Sequence, residues 1–219
     1  MCYNLIMYKT GIETRKAIVN EAKILFYRNG YKKTSVEKIC EAADAKLGTF
    51  TYYFPKKNDL LSTIYSDYMQ ACVDHVEKKE KDLPPVKHHL YSVMLYYGNL
   101  YRDERTVSFH RETLQIASMN AWFHDPRMLI SEFSGRNISG MDSGFYDLCV
   151  KADNAVRREL NLDFIEKKDY GISSVKKLLS DIYLINARLF GVDRKKTEAY
   201  LEDAFDFYLN DKDNNISLL

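Results

Sequence analysis

The chain has 219 residues, 46% of them hydrophobic, and a formal net charge of +1. That is room for one domain or two small ones with a substantial buried core, and it excludes a polybasic tail or an acidic solvating segment. No run is long and apolar enough to span a membrane. The start, MCYNLIMYKTGIETR, lacks the basic region and small-residue cleavage site of a secretory signal. Cys2, Cys40, Cys72 and Cys149 are scattered without a C-x-x-C, a pattern of reduced thiols in a cytoplasmic protein rather than of a disulfide framework or zinc cluster.

Glycine and proline are sparse, nine and four, and apolar residues recur at three and four rather than two, so an all-α fold is expected. The first helix is read over residues 14–29. Ile18, Ala22, Leu25 and Phe26 share one face, and Gly30 is a natural stop. Thr34-Ser35-Val36-Glu37 has capping-box spacing, with Thr34 as N-cap of a second, short helix. Asp44 then suits a left-handed turn. A third helix over residues 47–53 stops before Pro55. Helix, short helix, tight turn, short helix is the order of a helix-turn-helix unit, with the third helix entering DNA. Phe50 and Phe54, four apart, face inward. The other faces carry Thr49, Thr51, Tyr52 and Tyr53, with Lys46 at the start and Lys57 just beyond the end. Charge agrees with that reading. Residues 9–57 hold eleven Lys or Arg against five Asp or Glu, a basic head on an acidic body.

The stretch TRKAIVNEAKILFYRNGYKKTSVEKICEAADAKLGTFTYYFPKKNDLL resembles the N-terminal domain of TetR/AcrR-type transcriptional regulators. Arg15, Ile18, Ala22, Leu25, Phe26, Gly30, Thr34-Ser35-Val36, Ile39, Ala42-Ala43, Gly48-Thr49, Tyr52, Phe54, Lys57 and Leu60-Leu61 carry the likeness. The resemblance implies an operator-binding regulator with a head over residues 1–58 and an effector-binding, dimerising body over residues 59–219. Thr49, Thr51 and Tyr52 are expected at base edges or methyl groups, with Lys46 and Tyr53 close by. Thr34 and Lys57 are expected at phosphates, with Ser35 also on the DNA-binding surface. Asp44 stands where relatives have Gly, Lys46 where they have Ser or Thr, Thr51 where they have Tyr, and Tyr53 where His is common. Lys46 removes the usual helix cap, and the operator preference cannot be inherited.

A long amphipathic helix follows Asp59, through Leu60, Leu61, Ile64, Tyr65, Tyr68, Cys72, Val73 and Val76, and ends in the charge run EKKEKDLPP. Further helices are expected at residues 86–101, 104–120, 127–133, 143–160, 173–190 and 194–210. Tyr97, Tyr101, His110, Trp122, Phe123 and Phe145 are read as candidates to line a small-molecule pocket, since Tyr and Trp bring polar tips into an apolar wall. The plain alternative is that they fill the core. Leu178, Ile182, Ile185 and Leu189 in one helix, with Leu201, Phe205 and Tyr208 in the next, are expected to form a twofold homodimer interface. No metal site, cofactor or membrane contact is expected. The five histidines lack zinc-binding spacing, and GMDSG is not a nucleophile elbow, because its central residue is Asp142. An enzyme is therefore not expected. The leading expectation is a repressor that leaves double-stranded DNA when a small-molecule effector binds. The alternative is a constitutive DNA-binding or scaffolding protein whose body only dimerises or holds a protein partner.

Overall fold

The computed structural model describes residues 2–116, 142–190 and 193–219. Among these residues every regular element is a helix. α1 spans Cys2–Asn29, α2 Val36–Ala42, α3 Leu47–Tyr53, α4 Lys57–Lys79, α5 Pro85–Leu100 and α6 Glu104–Leu114. Further along the chain, α7 spans Ser143–Lys167, α8 Ile172–Phe190 and α9 Arg194–Asn210. α1 starts well before the expected residue 14, and α7 runs past residue 160 to a left-handed stop at Lys168, φ 54°. The helix expected at residues 127–133 lies outside the described residues.

Local chemistry sets most helix starts. Asp103 accepts from Thr106 N–H at 2.7 Å, Asp142 from Gly144 N–H at 2.8 Å and Asp193 from Lys196 N–H at 2.7 Å. α5 opens with Pro85 in its first turn, where the missing N–H costs nothing.

Ile18, Ala22 and Phe26 of α1 pack with Ile39, Phe50 and Phe54 in the head. The same apolar cluster continues without a break through Leu60, Leu61 and Ile64 into the body. α4 thus contributes to both ends of that cluster, and position 58/59 falls in its first turn. α5 is central: nearly every residue from His89 to Leu100 is buried between α4 and α9. A Cβ on Gly98 would come within 2.4 Å of the Tyr208 ring, so the bare backbone there lets α9 lie close. Beyond α9 the chain straps back over α4 and α5. Asp211 pairs with His75 at 2.5 Å, Asn214 and Asn99 exchange bonds of 2.7 and 2.9 Å, and Leu218 is buried.

Candidate nucleic-acid interface and effector body

The α2–α3 unit is built around a turn of four residues. Ser35, not Thr34, caps α2: its Oγ accepts from Lys38 N–H at 3.3 Å. Thr34 is buried, and its hydroxyl donates to Gly30 O at 2.8 Å and Leu25 O at 3.3 Å. Its side chain is spent inside the head and cannot serve a phosphate, which corrects the sequence expectation by one position. Asp44 adopts φ 48°, as its residue type allows, and Ala45 N–H closes the turn on Cys40 O at 2.9 Å. Lys46 precedes α3 with no side-chain cap bond.

On α3 the residues divide by angle around the axis. Phe50 and Phe54 are buried with their rings 5.7 Å apart, and the Arg15 guanidinium lies 5.3 Å over Phe54. Leu47, Gly48, Thr51 and Tyr52 form one continuous arc toward solvent, Tyr52 being 80% exposed. A Cβ on Gly48 would meet nothing within 4 Å. Thr51 Oγ1 donates to Leu47 O at 3.0 Å, leaving its methyl and lone pairs outward. Thr49 and Tyr53 are half-buried and flank the arc. The Tyr53 ring stands edge-on to Tyr52 at 4.9 Å. Leu47 and Gly48 escaped the sequence reading because neither offers a polar group. Their signal is angular, as the first and second residues of the helix.

Lys57 is also placed differently from expectation. Its ammonium donates to Tyr31 O at 2.9 Å and Thr34 O at 3.0 Å and sits 3.8 Å over the Tyr31 ring. Burial lowers its pKa from the ordinary lysine value. Lys57 therefore ties the turn after α1 to the start of α4. The neighbouring Lys56 is exposed, as are Lys38 and Lys46.

α6 joins head to body. Phe109 stacks on Phe26 at 5.4 Å, Glu112 accepts from Lys32 N–H at 2.8 Å, and Asp103 accepts from the Tyr27 hydroxyl at 3.2 Å. One residue on from Phe109, His110 points into the body, where its Nδ1 bonds the Tyr65 hydroxyl at 2.8 Å. The same hydroxyl bonds Thr113 Oγ1 at 2.8 Å. Burial drives the His110 pKa down to about 3, so the ring is neutral in the folded protein at ordinary pH.

Of the expected pocket residues, Tyr97, Tyr101 and His110 do converge. Tyr101 donates to Asn161 Oδ1 at 2.5 Å, and all three are buried. They pack tightly: the void beside Tyr97 and His110 is only about 10 Å³. Phe145 does not join them. It is 52% exposed at the start of α7. Trp122 and Phe123 lie outside the described residues.

The expected dimer face needs correction as well. Leu178, Ile182, Leu201 and Tyr208 are buried within one copy, because α8 and α9 both turn these residues onto α5 and each other. Phe205 is half-buried beneath the Lys176 ammonium, 4.4 Å from its ring. The outer face of α9 carries Lys195, Glu202 and Asp206, all exposed, with Leu209, 52% exposed, near its end. Ile185 and Leu189 instead share an outward apolar strip with Leu160 and Leu184, and Phe145 and Leu148 of α7 are exposed as well.

Among the described residues no helix is long and apolar enough to cross a membrane, and no three His, Cys, Asp or Glu are grouped to hold a metal ion. The family described as bacterial regulatory proteins, tetR family, matches residues 18–64, from the middle of α1 into α4. A probable HTH-type transcriptional regulator, YttP, of Bacillus subtilis (strain 168) is 30% identical over 60 residues, 27% of this chain and 29% of that protein. The fatty acid metabolism regulator protein of the same organism is 25% identical over 91 residues, 42% of this chain and 47% of its own. The transposon Tn10 TetC protein of Escherichia coli is 36% identical over 56 residues, 26% of this chain and 28% of its own. The chain thus matches less than half the length of each of these relatives. No solved structure matches. The matched residues are those that build the α1–α4 head, and that head is the DNA-binding unit of the tetR family of bacterial regulatory proteins.

Proposed function

We propose that the protein is a transcriptional repressor, that it binds double-stranded operator DNA as a homodimer, and that a small-molecule effector held in the body releases it. The observation that carries the DNA reading is the solvent-facing arc of Leu47, Gly48, Thr51 and Tyr52 on a helix anchored from behind by two buried phenylalanines. A major groove admits one α-helix. Gly48 lets the backbone approach closely, and the Leu47 side chain and Thr51 methyl suit thymine methyl groups. Tyr52 adds a hydroxyl for a base edge or phosphate. Ser35, Lys46 and Lys56 supply polar or cationic groups around the arc for phosphates, with Thr49 and Tyr53 at its border.

The head comprises residues 1–58 and the body residues 59–219, with α4 and α6 as the mechanical connection. An effector that favours a body conformation in which α6 shifts would draw Phe109 and Glu112 away from α1, and its differential affinity alone sets the size of the response. The homodimer forms through α7 and α8, where Leu148, Ile185 and Leu189 would otherwise meet water. The names of the three relatives, two of them regulators, support the same reading. The rival, a constitutive DNA-binding protein, draws on the tight packing around Tyr97.

Selection of duplexes from a random library by the purified protein tests the proposal. A palindromic site with half-sites about 34–36 Å apart, or somewhat more if the heads spread, is expected. Failure to enrich any sequence would sink it.

A further inference from the structure

α4 and α9 end at one cleft, and the first turns of α5 form another of its walls. Its volume is about 690 Å³, within the range of sites that hold small molecules. Its charge is lopsided. Five carboxylates line it, Glu80, Asp203, Asp206, Asp211 and Asp213, against three ammonium groups, Lys79, Lys87 and Lys212. Two of the three are engaged: Lys87 pairs with Asp203 at 2.6 Å and Lys79 with Asp213 at 2.7 Å. Glu80 and Asp206 are exposed and have no ion pair among the described residues.

Asp211 gives a second, independent sign. Its side chain is 3% exposed, and its Oδ1 accepts no hydrogen bond among the described residues. His75 bonds only the other oxygen, Oδ2, at 2.5 Å. The Lys79 ammonium stands 3.6 Å from Oδ1, too far for a hydrogen bond, and is already held by Asp213. A buried carboxylate oxygen at the wall of a cleft is costly without a donor. The helix ends act in the same direction. α4 stops at Lys79 and α9 at Asn210, and the last carbonyls of a helix carry partial negative charge. Against them stands one helix start, that of α5, whose first residue is a proline without an N–H.

The carboxylates do not converge on a point. Among the described residues no three are grouped to hold a metal ion. They share the cleft instead with an aromatic pair, Tyr91 and Phe207, whose rings stack at 4.7 Å. The Lys87 ammonium already lies 5.7 Å over the Tyr91 ring, a contact that ring faces favour.

We propose that this cleft binds an organic cation, one or two ammonium groups on an alkyl or aryl body. The ammonium meets the unpaired carboxylates of Glu80 and Asp206 and the open side of Asp211, and the body lies on the Tyr91–Phe207 pair. A neutral alcohol of the same shape keeps the second contact and loses the first. A carboxylic acid adds to the excess of negative charge. The site is separate from the solvent-facing arc of α3, and it stands whether or not the chain binds operator DNA.

The test uses the full-length protein without DNA and matched pairs of probes: 2-phenylethylamine with 2-phenylethanol, and 1,4-diaminobutane with 1,4-butanediol. Binding is measured by calorimetry at pH 7 and equal ionic strength, so that general screening is the same for both members of a pair. At least one amine should bind ten-fold or more tightly than its alcohol. Glu80→Gln combined with Asp206→Asn, both at exposed side chains, should abolish that difference. Asp147→Asn combined with Asp163→Asn removes two exposed charges from α7 instead and should leave it unchanged. Alcohols binding as well as amines, no binding of either, a preference that survives in the cleft variant, or an equal loss in both variants would overturn the inference.

Discussion

Lys57 invites a simple experiment, because its residue type and its geometry predict opposite results. A lysine at the start of α4 beside the reading helix looks like a phosphate contact. Replacing it with alanine would then weaken binding to all DNA and reduce the salt slope by about one. The structure gives it other work: two bonds of 2.9 and 3.0 Å to the carbonyls of Tyr31 and Thr34, and a place 3.8 Å over the Tyr31 ring. Hydrogen bonds to charged groups contribute about 1.5–3 kcal/mol each when buried. Lys57 is only half-buried, and its Coulombic part is screened. About 1–3 kcal/mol for the whole clamp is therefore reasonable, which corresponds to roughly 2–12 °C in Tm for a chain of this size. Lys57→Ala should lower the melting temperature by such an amount and leave the salt slope of DNA binding unchanged. Lys56→Ala, at an exposed side chain, should do the reverse. Calorimetric melting and a salt titration on operator and random DNA measure both. A Lys57→Ala protein that melts normally but loses one unit of slope would refute the clamp and restore the phosphate role.

Tyr52→Ala should cost on the order of 1–3 kcal/mol on operator DNA, little on random DNA, and nothing in Tm, since the ring is 80% exposed; equal weakening on both DNAs would argue against base reading. Phe54→Ala removes a buried ring and should destabilise by about 3–5 kcal/mol, visible to protease before any binding assay. Ile185→Glu should give a folded monomer by sedimentation, whereas Ile182→Glu should not fold, because Ile182 is fully buried within one copy; a stable monomer of the unmodified protein would dispose of the dimer. His110 is held near pKa 3 by burial, against 6.5 unfolded, so the unfolded chain binds the extra proton. Its stabilising effect is present above the unfolded value and falls as pH drops below it, by about 2 kcal/mol between pH 7 and pH 5. Urea midpoints should show that extra loss relative to His110→Gln, and parallel curves would contradict it.

The parts of the fold visible in the sequence are those decided within a few residues. The Ile18–Ala22–Phe26 stripe, the left-handed Asp44, the uncapped Lys46 and the span of α9 all follow from local backbone and side-chain preferences. The inner placement of Phe50 and Phe54 follows from a four-residue spacing. What escaped depends on partners far along the chain. Whether Thr34 or Ser35 caps α2 is settled by the carbonyls of Leu25 and Gly30, which accept the Thr34 hydroxyl. Tyr208 looks like an interface residue until Gly98, on another helix, is seen to have made room for its ring. The apolar excess of α8 is real, but α5 and α7 absorb most of it, and only the strip through Ile185 and Leu189 is left over. The same holds in the body. Aromatic richness drew attention to Tyr97, Tyr101 and His110, which pack together, yet it said nothing of charge. Arg157 and Asp153, spaced as any exposed helical ion pair would be, are buried only because α7 turns that face inward. A four-residue spacing of opposite charges is ordinarily a surface ornament of small energy. Desolvated, the same pair is far costlier to leave unmatched, and burial, not spacing, makes the difference.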